Sequence, residues 1–375
     1  MTIRTGDWRE GLAALGRRRL LQGAGGAVLA TPLLHRRANA AQVVNVLGVP
    51  GLHVKLWQEW ASMVREDTKG EVEVRFDPLG YAPAFAKIKT EAEGRNFTTD
   101  LFYGDSPFPE RLALDGLAER LPYSDLPHTQ ELEAFARGEF TLEVFRTNWG
   151  VAAFNTNFVR ASSFQTPLSW EVFADPRWKN RLSWADPRGF PVWIPIVVEL
   201  FGENGWIDYC RRIDANVKTY HARWIDNRIG LQRGDAWITM MNLGNIYIST
   251  QIDKASVSGF PITQPEVGLG VLPVSIALVK NAPSRTGALK VLDLISSARY
   301  AKVMMDIGLN PSNNPANFPH PLSDKTLELN NAKQVGINSW ADVQKHTMNT
   351  NWVEWAGKMD RYVQTWEAEI LRRRG

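Results

Sequence analysis

The chain has 375 residues, 43 Lys and Arg against 40 Asp and Glu, and a single cysteine, Cys210. One cysteine excludes an internal disulfide, and 44% hydrophobic with 22% charged residues excludes a charge-dominated disordered chain. Residues 1–40 carry seven of the basic residues and two of the acidic ones, so the remainder holds 36 against 38; a near-neutral body has no electrostatic footprint for nucleic acid.

In chain order, the first feature is GRRRLLQGAGGAVLATPLLHRRANAAQ, residues 16–42. Its apolar run from Leu20 to Leu34 is shorter than the roughly 20 residues a membrane span needs, and three glycines weaken it as a core helix. Ala38-Asn39-Ala40 supplies a small-x-small cleavage pattern. The layout resembles a twin-arginine export signal, with Arg17 and Arg18 as the pair, and that resemblance implies a mature chain starting near Ala41 in the periplasm. Cys210 is expected to pack as a small apolar residue.

QVVNVLGVPG then reads as a buried strand and turn, and HVKLWQEWASMVRED places Leu56, Trp60 and Val64 on one helical face. EVEVRF reads as a strand, PAFAKIKTEAEG as a helix and DLFYGD as a third strand. Strand–helix–strand alternation predicts parallel βαβ units in an α/β fold. FRTNWGVAAFNTNFV predicts extended chain crossing between two lobes. A helix from about Val192 to Phe201 and another over GWIDYCRRID follow, then the helix of DNRIGLQRGD, the strand AWITMM and a helix in NLGNIYISTQID. EVGLGVLPVSIALVK predicts two further strands, SRTGALKVLDLISSARYAKVMMDIG one helix, and NPSNNPANFPHP a loop before Trp-studded terminal helices.

An ordered series of segments resembles the periplasmic solute-binding proteins of ABC importers, in the class of polyamine and ferric-ion binders. It runs through NWGVAAFNTNFV, TPLSWEVFADPRWKNRLSWADPRG, LQRGDAWITMM and VSIALVKNAPSRTGALKVLDLISSARYAKVMMDIGLNPSN. The resemblance implies a type II two-lobed fold, each lobe a mostly parallel sheet flanked by helices, with two crossing strands. Its lobes are expected at 41–147 plus 268–375 and at 148–267. It implies a monomer that closes on a small-molecule solute and delivers it to an ABC permease in the inner membrane; the bound solute favours the closed form by differential affinity.

In open α/β sheets ligands sit beyond the carboxyl ends of strands. Tyr103, Asp105 and Ser106 occupy one such loop, where Asp105 and Ser106 serve equally well as helix caps. Trp149 lies on the expected crossing strand, facing the cleft or buried in the hinge. Asp186 and Gly189 lead toward Trp193 at a helix start, where a glycine lets backbone N–H groups approach an anionic group. Asn242, Asn245 and Tyr247 form the last candidate loop, Tyr247 being either a cleft ligand or a half-buried helical tyrosine. Most of the fifteen tryptophans are expected in the core, Trp149 and Trp193 being the two set aside for ligand contact.

Departures from the family's branches limit the ligand. Asn245-Ile246-Tyr247 offers one tyrosine where ferric binders carry two. Gly189 stands where polyamine binders place a carboxylate, and Val49-Pro50-Gly51-Leu52 stands where they tend to carry aromatics. A polyamine-like solute is the expectation, with ferric ion, phosphonate or carboxylate as alternatives, or a periplasmic ligand-sensing role. The chain holds no HExxH, GxSxG, GxxxxGK[ST] or CxxC, and its histidines lack metal-ligand spacing, so neither enzyme activity, metal nor cofactor is expected. A lone loop histidine such as His53 is expected in solvent.

Overall fold

The structure is a computed structural model that describes residues 41–307 and 320–374. The expected export signal, and residues 310–319 of the Pro- and Asn-rich loop, lie outside the described residues.

The described chain opens with β1 (Gln42–Gly48), α1 (Leu52–Asp67), β2 (Val72–Pro78), α2 (Tyr81–Gly94), β3 (Leu101–Asp105) and α3 (Phe108–Leu114). The predicted face of α1 is the one it buries, through Leu56, Trp57, Trp60 and Val64. A long strand, β4 (Thr141–Asn155), is followed by β5 (Leu168–Ser169), β6 (Leu182–Ala185), α4 (Trp193–Asp214), β7 (Val217–His221), α5 (Trp224–Arg233), β8 (Ile238–Asn242) and α6 (Leu243–Tyr247). Then come β9 (Val257–Gln264), β10 (Leu269–Leu278), α7 (Arg285–Ser296), α8 (Ala298–Asp306), α9 (Pro321–Leu329), α10 (Trp340–Lys345), β11 (Thr347–Met348) and α11 (Trp352–Trp366).

The two helices read on either side of residue 202 are both present, meeting within α4 at a kink where Gly202 adopts φ 73°. Two expectations change. EVGLGVLPVSIALVK supplies the single strand β10; its companion is β9, upstream, where Gly259 and Pro261 disguise the strand as a loop. The predicted helix from Ser284 onward is broken into α7 and α8 because Ser297 turns to extended backbone, ψ 152°.

The sheet runs β2-β1-β3-β10-β4-β8-β6-β7. β1 pairs in parallel with β2 and β3, and β6 with β7 and β8. Between these groups lie β10 and β4, antiparallel to each other and to their outer neighbours β3 and β8. The register has a geometric consequence. β10 brings Asp105, at the end of β3, level with Phe145 of β4 through Val274. Asn242, at the end of β8, pairs with Trp149. β3 runs in the direction of β4 and β8 against it, so the two strands point toward one another and stop four residues apart, roughly 13 Å along β4. The carboxyl ends of both strand groups therefore meet at the middle of β4.

Two large apolar clusters support these groups. One joins Val44, Val46, Trp57, Trp60 and Leu101 to Val291 and Leu292 of α7. The other surrounds Phe154, Trp170, Trp184, Trp193 and Phe260, and takes in Trp352, Trp355 and Trp366 from α11. α11 also touches the first group's flank, where Arg111 of α3 donates to Ala356 O at 3.3 Å and pairs with Asp360 at 3.2 Å. Cys210 is buried in α4, and burial pushes its thiol well above the ordinary range, as expected of a packing residue. Among the described residues, no helix is long and apolar enough to cross a membrane.

Candidate functional site

Gly104 and Asp105 close β3, and Ser106 N–H donates to Pro273 O at 2.9 Å, which fixes the end of the strand against β10. Tyr81, in the first turn of α2, donates its hydroxyl to Asp105 Oδ2 and stacks on Phe108 with ring centroids 4.2 Å apart. Asp105 is only 7% exposed. Burial pushes its carboxyl up to about 7 while the Tyr81 hydrogen bond pulls the other way. Ser106 donates to Glu110 Oε1 at 2.8 Å, and the Ser275 hydroxyl is a second hydrogen-bond partner of that carboxyl. Burial pushes Glu110 up to about 7 as well. Among the described residues, no lysine or arginine pairs with either carboxyl, whereas neighbouring Glu143 holds Arg146 through a guanidinium fork.

Tyr103 is fully buried, and its hydroxyl lies 2.8 Å from His53 Nδ1. His53 sits in the first turn of α1, half-buried, with its ring stacked on Phe145. Burial lowers its pKa to about 4, so the ring is neutral at ordinary pH. This corrects the expectation of a solvated loop histidine: α1 begins one residue earlier, at Leu52, and turns the ring inward. Gly51 precedes it with φ 87°, no side chain caps the helix start, and a Cβ there would meet open space. Of the first-turn N–H groups of α1, that of Val54 bonds Gly51 O at 3.1 Å, and those of Leu52 and His53 donate to no described residue.

On the opposite group, Trp149 is 4% exposed and donates its indole N–H to Thr147 Oγ1 at 2.8 Å. It packs against Phe190 and edge-on to Trp224, at centroid distances of 5.2 and 5.8 Å. Trp224 opens α5 and is half-buried, giving this aromatic trio an accessible member. Asn242 caps α6, its Oδ1 accepting from Asn245 N–H at 2.8 Å, while Asn245 Oδ1 is buried without a partner among the described residues. Tyr247 is half-buried at the end of α6.

The remaining candidates have local structural partners. Asp186 accepts from the backbone N–H of Arg188 at 2.9 Å and from its guanidinium at 2.6 Å. Gly189 passes so close to Ala222 that a Cβ would lie 2.0 Å from Ala222 O, which accounts for the glycine by backbone packing. Trp193 is fully buried and donates to Ala185 O at 3.0 Å. For Asp105 and Ser106 the capping alternative has no support in the bonding: Pro107 occupies the N-cap of α3, with no side-chain cap.

The geometry therefore groups Tyr103, Asp105 and Ser106 at one strand end and Trp149 with Asn242 at the other. Tyr81, Glu110 and Trp224 join them without having been singled out in the sequence. Each lies in the first turn of a helix that follows a strand, and reading the position after each strand would have found them. Among the described residues no cluster of three or more His, Cys, Asp or Glu suited to a metal ion occurs.

Comparison with known proteins adds three findings. A family model described as "bacterial extracellular solute-binding protein" matches residues 97–335. Among solved structures, the chain is similar to the periplasmic binding protein AfuA from Actinobacillus pleuropneumoniae, determined with exogenous fructose-6-phosphate. The TM-score is 0.68 at 19% identity, covering 88% of this chain and 99% of that one. It is also similar to the iron-bound HitA of Pseudomonas aeruginosa (TM-score 0.62, 16% identity, 86% and 99% covered). A spermidine/putrescine ABC transporter substrate-binding protein, PotD from Streptococcus pneumoniae, gives a TM-score of 0.64 at 14% identity, with 88% and 99% covered. No curated protein sequence matches.

Proposed function

The chain belongs to the bacterial extracellular solute-binding protein family, periplasmic proteins that capture small solutes for ABC permeases, and from that membership we propose that its solute is a small organic cation carrying a primary or secondary ammonium. The observation that carries this reading is Asp105. It is a buried carboxyl at a strand end, held by Tyr81 and with no cationic partner among the described residues. Such a group is costly to ionise alone and stabilised by an incoming positive charge. Tyr81 beside Asp105, and Trp224 against Trp149 at the opposed strand end, carry aromatic rings of the kind on which ammonium groups rest. The bound solute would sit in the roughly 13 Å between the opposed strand ends.

Opening and closing would then move 41–147 plus 268–375 against 148–267 about the crossings in β4 and β10. The tail helix α11, bonded to α3 and packed in the second cluster, would limit the swing.

A phosphate-bearing solute is the second reading, favoured by the uncapped start of α1 at Gly51, whose open N–H groups suit an anion. AfuA, with its sugar phosphate, is a structural neighbour on that side; PotD is one on the other.

A thermal-shift panel of diamines, polyamines, sugar phosphates, phosphonates and ferric citrate separates the readings. A ligand at a hundredfold excess over its dissociation constant adds about 2.7 kcal/mol of apparent stability. An amine that raises Tm above a flat remainder supports the proposal; a phosphate ester or ferric citrate in that place overturns it.

A further inference from the structure

A second concavity lies at the other end of the sheet. β10 carries Leu278 opposite Leu101, the first residue of β3, four residues and roughly 13 Å of strand from Asp105. Just beyond Leu278, Lys280 N–H bonds Leu117 O at 2.8 Å and Ala118 forms a short bridge with Val279. Between this junction and the end of α2 is a pocket of about 380 Å³, within the range of small-molecule sites. Ile88, Phe97, Leu117 and Val279 supply its apolar wall, and Arg95 and Lys280 stand on its rim.

The charges on that rim are uncompensated. Neither Arg95 nor Lys280 makes a side-chain hydrogen bond or ion pair with any described residue. Three carboxylates of the flanking segments hold other cations: Asp115 pairs with Lys89 at 3.0 Å and Arg111 at 3.2 Å, Glu91 with Lys87 at 2.7 Å, and Glu119 with Arg285 at 2.5 Å. Two of the four carbonyls that end α2, at Glu91 and Ala92, are taken by the N–H groups of Asn96 and Arg95.

The wall is also built to stay in place. Glu91 accepts from the N–H groups of Thr98 and Thr99 at 3.1 and 3.0 Å, which fixes the segment next to Phe97. Burial opposes its charge, yet Lys87 and the threonines outweigh it and hold the carboxyl down to about 2. Arg95 itself has φ 50°, a left-handed C-cap where glycine is the common residue. Its guanidinium is therefore carried at a position that backbone sterics alone would not give to arginine.

We propose that this pocket is a second binding site, separate from the strand-end cleft, for a small organic anion with an apolar body, an aryl or branched-alkyl carboxylate. The apolar wall takes the body and the two rim cations take the carboxylate.

Calorimetric titration with 3-phenylpropionate, and with 3-phenylpropanamide as its uncharged counterpart, tests the assignment. The carboxylate is expected to bind with at least tenfold preference over the amide. The double variant Arg95→Gly, Lys280→Gln should lose at least tenfold in affinity, and glycine suits the left-handed cap, so the fold is kept. Trp224→Ala, which alters only the cleft, should leave that affinity unchanged. No saturable binding up to about 10 mM probe, equal binding of the amide, unchanged binding in the double variant, or loss of binding in Trp224→Ala would each overturn it.

Discussion

Tyr81 reaches from the first turn of α2 to donate its hydroxyl to Asp105, the last residue of β3. Helix start and strand end are joined at the point where, by register, the two groups of strands come closest. Replacing Asp105 by Asn keeps the shape and removes the charge that a cationic solute requires. Asp105→Asn should weaken amine binding at least tenfold at pH 8, since hydrogen bonds to charged groups contribute about 1.5–3 kcal/mol. Tyr81→Phe should weaken it less. Calorimetry on the two variants checks the order.

The two unpaired carboxyls also predict how stability varies with pH. Asp105 and Glu110 are raised to about 7 in the folded protein, from ordinary values of 3.8 and 4.5. Between these limits the folded state binds more protons than the unfolded one, so their contribution falls as pH rises from about 4 to about 7. His53 acts the other way, its pKa lowered from 6.5 to about 4, and adds stability as pH rises through that interval. Urea unfolding of Asp105→Asn, Glu110→Gln should therefore gain relative to the parent as pH goes from 5 to 8. A constant difference across that range would refute the assignment.

Trp193 and Trp224 separate packing from recognition. Trp193 is fully buried with its indole N–H on Ala185 O, so Trp193→Ala should cost about 3–5 kcal/mol in urea unfolding. Trp224 is half-buried at the start of α5. Trp224→Ala should change stability much less and reduce affinity for an aromatic-seeking cation severalfold.

The conflict at Gly189 is with backbone, which has little room to give. Gly189→Ala places a methyl 2.0 Å from Ala222 O and should destabilise by about 1–3 kcal/mol. The check is a shift in urea midpoint without a change in slope.

How much of this was legible beforehand differs by kind. The βαβ alternation and the apolar face of α1 follow from periodicity, and the strand-end loops containing Tyr103 and Asp105 follow from the rule that ligands lie beyond strand ends. Strand β9 was hidden because Gly259 and Pro261 carry loop chemistry within a paired strand. Gly189 and Trp193 looked like site residues because a glycine and an aromatic before a helix have the same appearance whether they face ligand, backbone or core. Only the distance to Ala222 and the burial of the indole separate these roles. His53 and Tyr81 were missed for the complementary reason: one-dimensional spacing does not show that α1 and α2 begin where their first-turn side chains reach β3.

The most direct test of a cation held by Asp105 is the affinity for the best amine of the panel, measured by calorimetry at pH 6 and at pH 8. The amine keeps its charge across this range while a carboxyl at about 7 gains one. The account predicts roughly tenfold tighter binding at pH 8, with proton release, and loss of that pH dependence in Asp105→Asn. An affinity that stays level or falls between the two pH values would contradict it.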